Sequence, residues 1–447
     1  MERGETVKKE TSSRRLLEGV TSVYLVLMCT VFLLWPGTGG YMSISSAKYT
    51  LFLILSGGYA GLMLLLHLEE ALIGGMELPL FRTLLTKSSW TQRFVVLYLV
   101  LTWLSAFLSP HWPRVLQGVS RNEGALTITL YCLCFLFLSV YTRLRPWMLW
   151  AAGGAVLIFD LLSVIQLLGG NPLNLYPEGM TYFDANIRYS GAYLGTIGNV
   201  GHVASFFCVA VPALWVAAIR LKGRRRLAAI VVLAMTLAVT VRMWVLAAVV
   251  GILLGCILSL PVVLPLTRRK QRTLVPVILL CLIAAGAAVY CFDFGGTLHE
   301  FHELLHGRGE DSFGTGRLYI WRKVAELIPT RLWFGYGPDT MLLANIEPFA
   351  RVDETLGTVI RARIDTAHNE YLNILFHQGI FSLLAYLGAL GTALWGWIRR
   401  GRGSVAGAAA GAAVLCYAIQ ALFGISVCIS APYFWIALAI LDGENRR

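Results

Sequence analysis

Two stretches of the chain hold residue types that can do chemistry. The run from Asp365 to Phe381, DTAHNEYLNILFHQGIF, turns from polar to apolar within a few positions, so His368 stands about one turn above the point where a helix enters a membrane. Histidine titrates near neutral pH and can act as a general base. Asp365, Thr366, Asn369 and Glu370 beside it are suited to cap the helix start or to hold one ring nitrogen so that the other is free. The second stretch, His302-Glu303-Leu304-Leu305-His306, spells H-E-x-x-H. Two histidines one turn apart can bind zinc while the glutamate serves as base, which would make the chain a membrane metalloprotease. His299 and Glu310 are the nearest candidates for a third ligand, neither at a recognised spacing, and Gly307 to Gly309 end the helix at once.

The elements that must position these residues are set by composition. With 57% hydrophobic residues, 14% charged residues and a mean hydropathy of +0.67, the 447-residue chain carries more apolar surface than a soluble fold can bury. A net charge of +12 invites a nucleic-acid partner, but the basic residues fall in short clusters between apolar runs and form no aromatic-interleaved stripe, so no nucleic acid is expected. The nine cysteines show no metal-type spacing, and Cys132, Cys134, Cys208 and Cys256 lie within apolar segments as small hydrophobes.

Apolar runs predict an all-α polytopic bundle of about twelve transmembrane helices. A polar tail, 1–19, precedes nine spans within 20–292, a long extracytoplasmic loop occupies 293–370, three spans fill 371–441, and a short tail, 442–447, ends the chain. Of the 37 Lys and Arg, 24 fall on the side that holds the N-terminus and five on the other, at Lys48, Arg114, Arg121, Arg188 and Arg242; eight lie in the long loop. The positive-inside rule therefore places both termini in the cytoplasm and His368 outside. The loop is partly helical: Leu318, Ile320, Trp321, Val324, Leu327 and Ile328 form one apolar face, expected at the membrane surface, and a turn-rich FGYGPD segment follows.

The succession TGRLYIW (Thr315 to Trp321), GYGPDTM (Gly335 to Met341) and DTAHNEYLNILFHQGIFSLL (Asp365 to Leu384) resembles the O-antigen ligase and O-antigen polymerase superfamily of bacterial membrane glycosyltransferases. Upstream, RYSGAYLGTIGNVGHVASF (Arg188 to Phe206) is similar to that family's arginine, Gly-Thr and Asn-rich entry to a span, and Arg242 stands where the family carries an arginine on an outward turn. Two positions depart from the pattern: Asn199-Val200-Gly201 replaces an Asn-Pro-Asn-like triplet, and Val241 and Met243 flank Arg242 in place of Ser and Gly. The resemblance implies transfer of a glycan from a polyprenyl-diphosphate-linked donor to a hydroxyl of a glycan or lipid acceptor, on the outer face of the bacterial plasma membrane. It implies His368 as base, with Arg317 and Arg242 stabilising the diphosphate, since arginine offers a fixed fork of donors to phosphate oxygens. Arg188, Asn199, Tyr336, Asn369 and Glu370 would bind substrate, and no metal or cofactor is called for.

Ordinary uses compete at each position. Arg242, between two apolar runs, is also suited to snorkel to the interface, and Arg317 to pair with loop carboxylates. Asn199 and His202, at the mouth of the sixth span, are suited to satisfy nearby backbone, and His377 to pack inside its span. A transporter of lipid-linked glycans is a further alternative, for which Asp160, within the fifth span, is the main mid-membrane ionisable group.

Overall fold

The computed structural model describes residues 2–73, 87–184, 192–353, 358–400 and 403–447. Each of the twelve predicted segments falls largely on a helix. Among the described residues nine helices are long and apolar enough to cross a membrane. Ala125–Tyr141 and Val405–Gln420 are shorter apolar helices, and Ala431–Arg446 is the last. Local chemistry sets several starts. Ser89 and Gln92 form a reciprocal capping box at 3.0 Å in each direction, and prolines occupy the first turns of Pro146–Leu167 and Ala431–Arg446.

One apolar core runs through the bundle. Trp435 stacks near Tyr98 and Tyr131, and Tyr417 stacks on Phe434 at 4.4 Å. Where Leu246–Val263 meets Val405–Gln420, a Cβ on Gly255 would stand 2.4 Å from the Cys416 sulfur, so small residues let the backbones touch. Helix Arg268–Cys291 is the contrast, with Ile278 alone buried along it.

The all-α expectation holds with two small additions, antiparallel ribbons that pair Tyr193–Leu194 with Gly198–Asn199 and Phe349–Asp353 with Thr358–Ala362. The loop helix forms at Phe313–Leu327, but its apolar face is largely covered by protein: Val324 is buried, and Tyr319, Ile320, Trp321, Leu327 and Ile328 pack with Met341, Ile364, Ala367 and Phe376.

The expected tenth span, Tyr371 to Ile398, is also not one continuous helix. Within Glu370–Arg400 the backbone breaks at Gly379, at φ 80° and ψ 178°. The Leu332–Gly337 segment of the loop inserts there. Tyr336 and Gly337 N–H donate to the Phe376 and His377 carbonyls at 3.0 and 2.7 Å, and Ile380 N–H donates to the Leu332 carbonyl at 2.8 Å. Non-helical backbone at such depth is tolerated where protein satisfies it. The approach demands glycine on both sides: a Cβ would lie 2.2 Å from the Trp333 oxygen at Gly379 and 2.4 Å from the His377 backbone at Gly335.

Candidate active site

The break and its inserted loop fix the turn that carries His368. Asn369 caps the helix by accepting from Leu372 N–H at 3.0 Å. Asn373, one turn in, donates to Thr366 Oγ1 at 2.7 Å and accepts from Ala367 N–H at 2.8 Å, while Trp321 Nε1 donates to the Ala367 carbonyl at 2.8 Å. His368 itself sits at φ 49°, in the left-handed region. A non-glycine residue is held there only when its surroundings determine it, and such positions gather at functional sites.

The His368 ring is half-buried, and among the described residues its nitrogens make no hydrogen bond. Burial first, then the positive charges of Arg317 and Arg121, push its pKa down to about 4, with Asp365 acting the other way. At neutral pH the ring is therefore uncharged and keeps a lone pair for an incoming proton.

Arg317 reaches this place through a backbone device. Gly314, Thr315 and Gly316 all have positive φ, so the TGR motif doubles back before the helix runs on. One Arg317 nitrogen, Nη1, donates to the Gly314 carbonyl at 2.7 Å, while Nε is buried without a partner among the described residues. Desolvation holds its pKa below the ordinary arginine value against a smaller effect of Glu300. A half-buried guanidinium with donors to spare is suited to receive an anion.

The second cation near His368 is Arg121, to which the sequence assigned only a topological role. It grips Asp365 with two parallel bonds, Nε to Oδ2 at 2.8 Å and Nη2 to Oδ1 at 3.1 Å. Its own loop is clamped by Asp339 of the GYGPD motif, whose buried carboxylate accepts from Ser120 N–H at 3.0 Å, Ser120 Oγ at 2.8 Å and Arg121 N–H at 2.8 Å. GYGPD thus serves the site twice, docking on the helix break through its glycines and aligning Arg121 through its aspartate.

Arg121 and Asp365 also line two cavities. One, of about 140 Å³, is shared with His202; the other, of about 70 Å³, lies among Glu123, Asp339, Glu370 and His377. His202, expected to satisfy local backbone, does not: it is buried, and its Nδ1 has no partner among the described residues.

The remaining candidates are placed as follows. Asn199 caps Val200–Arg220 by accepting from Gly201 N–H at 2.8 Å. Tyr336 stacks on Phe376 at 4.7 Å and hydrogen-bonds Thr330, so packing occupies a ring expected to meet a sugar. Glu370 is buried, accepting from Tyr386 OH at 2.5 Å and Tyr417 OH at 3.0 Å, which ties it to the core. Arg242 is exposed over the Phe183 ring at 5.7 Å and is not among the charges that act on His368. Arg188 lies outside the described residues. Asp160 is buried and accepts from Thr236 Oγ1 at 2.6 Å.

The H-E-x-x-H residues lie at the end of helix Gly296–Leu305, with His306 as its C-cap. Nδ1 of His302 and of His306 face the Val289 and His302 carbonyls at 2.8 Å, and Arg308 holds the Glu303 carboxylate in two bonds of 2.7 and 2.8 Å. That guanidinium holds Glu303 down to about 2. Among the described residues no three His, Cys, Asp or Glu side chains are grouped to hold a metal ion.

Residues 236–387 match the family model described as Wzy_C, O-Antigen ligase. The match covers Arg242, Arg317, Tyr336 and the His368 turn, and leaves Arg121, Asn199 and His202 upstream of it. No curated protein matches the chain.

Proposed function

We propose that this chain, whose residues 236–387 match the O-antigen ligase family model, is a multi-pass membrane protein of the O-antigen ligase superfamily. On that premise we propose that it transfers a glycan from a polyprenyl-diphosphate-linked donor to an acceptor hydroxyl on the outer face of the bacterial plasma membrane, with both termini in the cytoplasm. The family is one of membrane glycosyltransferase-type enzymes acting on lipid-linked glycan donors and acceptors; the specific donor, the side of the membrane and the residue roles are our reading.

The observation that carries it is the meeting of two loop motifs: an uncharged His368, whose ring makes no hydrogen bond among the described residues, stands in the field of Arg317, whose buried Nε is unfilled. In the step we envisage, His368 takes the proton of the acceptor hydroxyl as its oxygen bonds to the anomeric carbon. The bond from that carbon to the phosphate oxygen breaks, and the lipid diphosphate leaves with the electron pair. General-base help of this kind is worth about 10² to 10⁴ in rate. The leaving group already departs as a stable anion, so the site supplies positive charge there more than a proton. Arg317 provides that charge, and Arg242, which forms no ion pair with described residues, is the second cation proposed for the diphosphate. No metal takes part in this scheme.

Glycan transfer by wild type, His368→Ala and Arg317→Ala in native membranes tests the reading, with product scored by chain length. Loss in both variants is expected. A ladder would mark a polymerase and a single addition a ligase, while full transfer by His368→Ala would remove it as base.

A further inference from the structure

The larger cavity beside the His368 turn has a chemistry that the proposed step leaves unused. Its polar wall comes from Ser45, Ser120, Arg121, Asn122, His202 and Asp365, and the 427–429 segment gives it an apolar side. The guanidinium and the carboxylate in that wall are bound to each other in a bidentate pair. Their charges offset, which leaves hydroxyls, an amide and an imidazole to meet a ligand. An uncompensated diphosphate would face Asp365 there, whereas a neutral polyhydroxyl compound finds donors and acceptors interleaved.

A separate observation also points to a ligand. His202 is only 6% exposed, it is one of the residues that line the cavity, and its Nδ1 is unpartnered among the described residues. Leaving such an atom unsatisfied is costly, and buried polar groups are as a rule paired. The cavity has room for a small polar ligand: at ~30 Å³ per water, 140 Å³ corresponds to roughly five waters.

We propose that this cavity holds one neutral sugar ring of the acceptor, the ring whose hydroxyl faces His368. Asp365 lies three residues before His368, and Arg121 and His202 both interact electrostatically with it. Arg317 is absent from the cavity wall, so the diphosphate and the acceptor ring occupy different places. The choice of acceptor over donor rests on the transferase reading; the neutral, hydroxyl-bearing class follows from the wall itself.

The test uses the full-length protein in lipid nanodiscs free of glycoside detergent. Methyl glucoside, methyl galactoside, methyl mannoside and N-acetylglucosamine are titrated by saturation-transfer NMR, and inorganic diphosphate by phosphorus NMR. At least one glycoside is expected to bind, about tenfold more weakly to His202→Leu, and within a few fold of wild type to His202→Gln, which keeps a side-chain donor and acceptor. Size-exclusion and melting profiles identify any variant that fails to fold. Binding of no glycoside, or equal binding to wild type and a folded His202→Leu, overturns the proposal. So does loss of diphosphate binding in His202→Leu, which would make the cavity the anion site. Diphosphate binding unchanged in Arg317→Gln would instead break the proposed function and leave the sugar cavity standing.

Discussion

Two regions of this protein carry paired histidines, and they have opposite fates. At the end of helix Gly296–Leu305 the two rings stand 4.3 Å apart, each has Nδ1 against a carbonyl, and Glu303 is locked to Arg308. His368 and His202, 166 positions apart in the chain, come together with ring nitrogens unpartnered among the described residues, in the field of Arg121 and, for His368, Arg317. The contiguous motif is the more familiar one to the eye, yet its glutamate is held by Arg308 and, among the described residues, no third ligand joins the two rings. A reactive site is better recognised by bonding capacity that the fold assembles and then leaves open.

That contrast can be broken most directly by exchanging the roles of the two regions. His368→Ala is expected to lower glycan transfer by about 10² to 10⁴. His302→Ala and His306→Ala should stay within about twofold of wild type in the same membranes, and a loss with either would move the centre of the protein to the loop helix. Arg317→Gln comes next, with a loss of about 10² to 10³ from the missing charge on the leaving group. Kinetics with purified protein would show the effect in kcat more than in KM.

A structural counterpart tests the helix break that holds the His368 turn. Gly379→Ala puts a methyl group into a left-handed backbone already pressed by the Trp333 carbonyl, and should destabilise the protein by about 1–3 kcal/mol. A lowered Tm in detergent, with transfer falling in parallel, is the expected outcome; an unchanged Tm would mean that the inserted loop is not held as described. The smallest effect is expected from chelation. Incubation with EDTA should leave transfer unaltered, and an EDTA-sensitive rate restored by zinc would revive the histidine pair of the loop helix.

The helices were legible because apolar runs are a one-dimensional signal: each of the twelve predicted segments falls largely on a helix, and polar residues at helix mouths, such as Asn199 and Asn369, serve as caps. The three loop motifs were legible too, and the family match falls across them. What escaped is what only the tertiary fold creates. Arg121 meets Asp365 across 244 positions, and nothing in the local sequence of its loop announces the partner. A faint signal existed, since the expected topology leaves only five cations in short outward segments, and Arg121 is one of them. Gly379 was hidden inside an apolar run whose hydropathy is the same whether or not the helix breaks. A histidine at a helix mouth is commonly satisfied by backbone, which the Nδ1 of His202 is not among the described residues.

The most direct test of the account is the pH dependence of kcat/KM for glycan transfer, which reports the free enzyme's base. His368 accepts a proton only while uncharged, so the rate should be flat around neutrality and fall as pH drops through about 4, well below the ordinary histidine value of 6.5. Removing a neighbouring positive charge lets the ring protonate more easily, so Arg317→Gln should move that acidic limb to higher pH. A limb that stays in place in Arg317→Gln, or that persists unchanged in His368→Ala, would contradict the claim that an uncharged His368 beside Arg317 is the base.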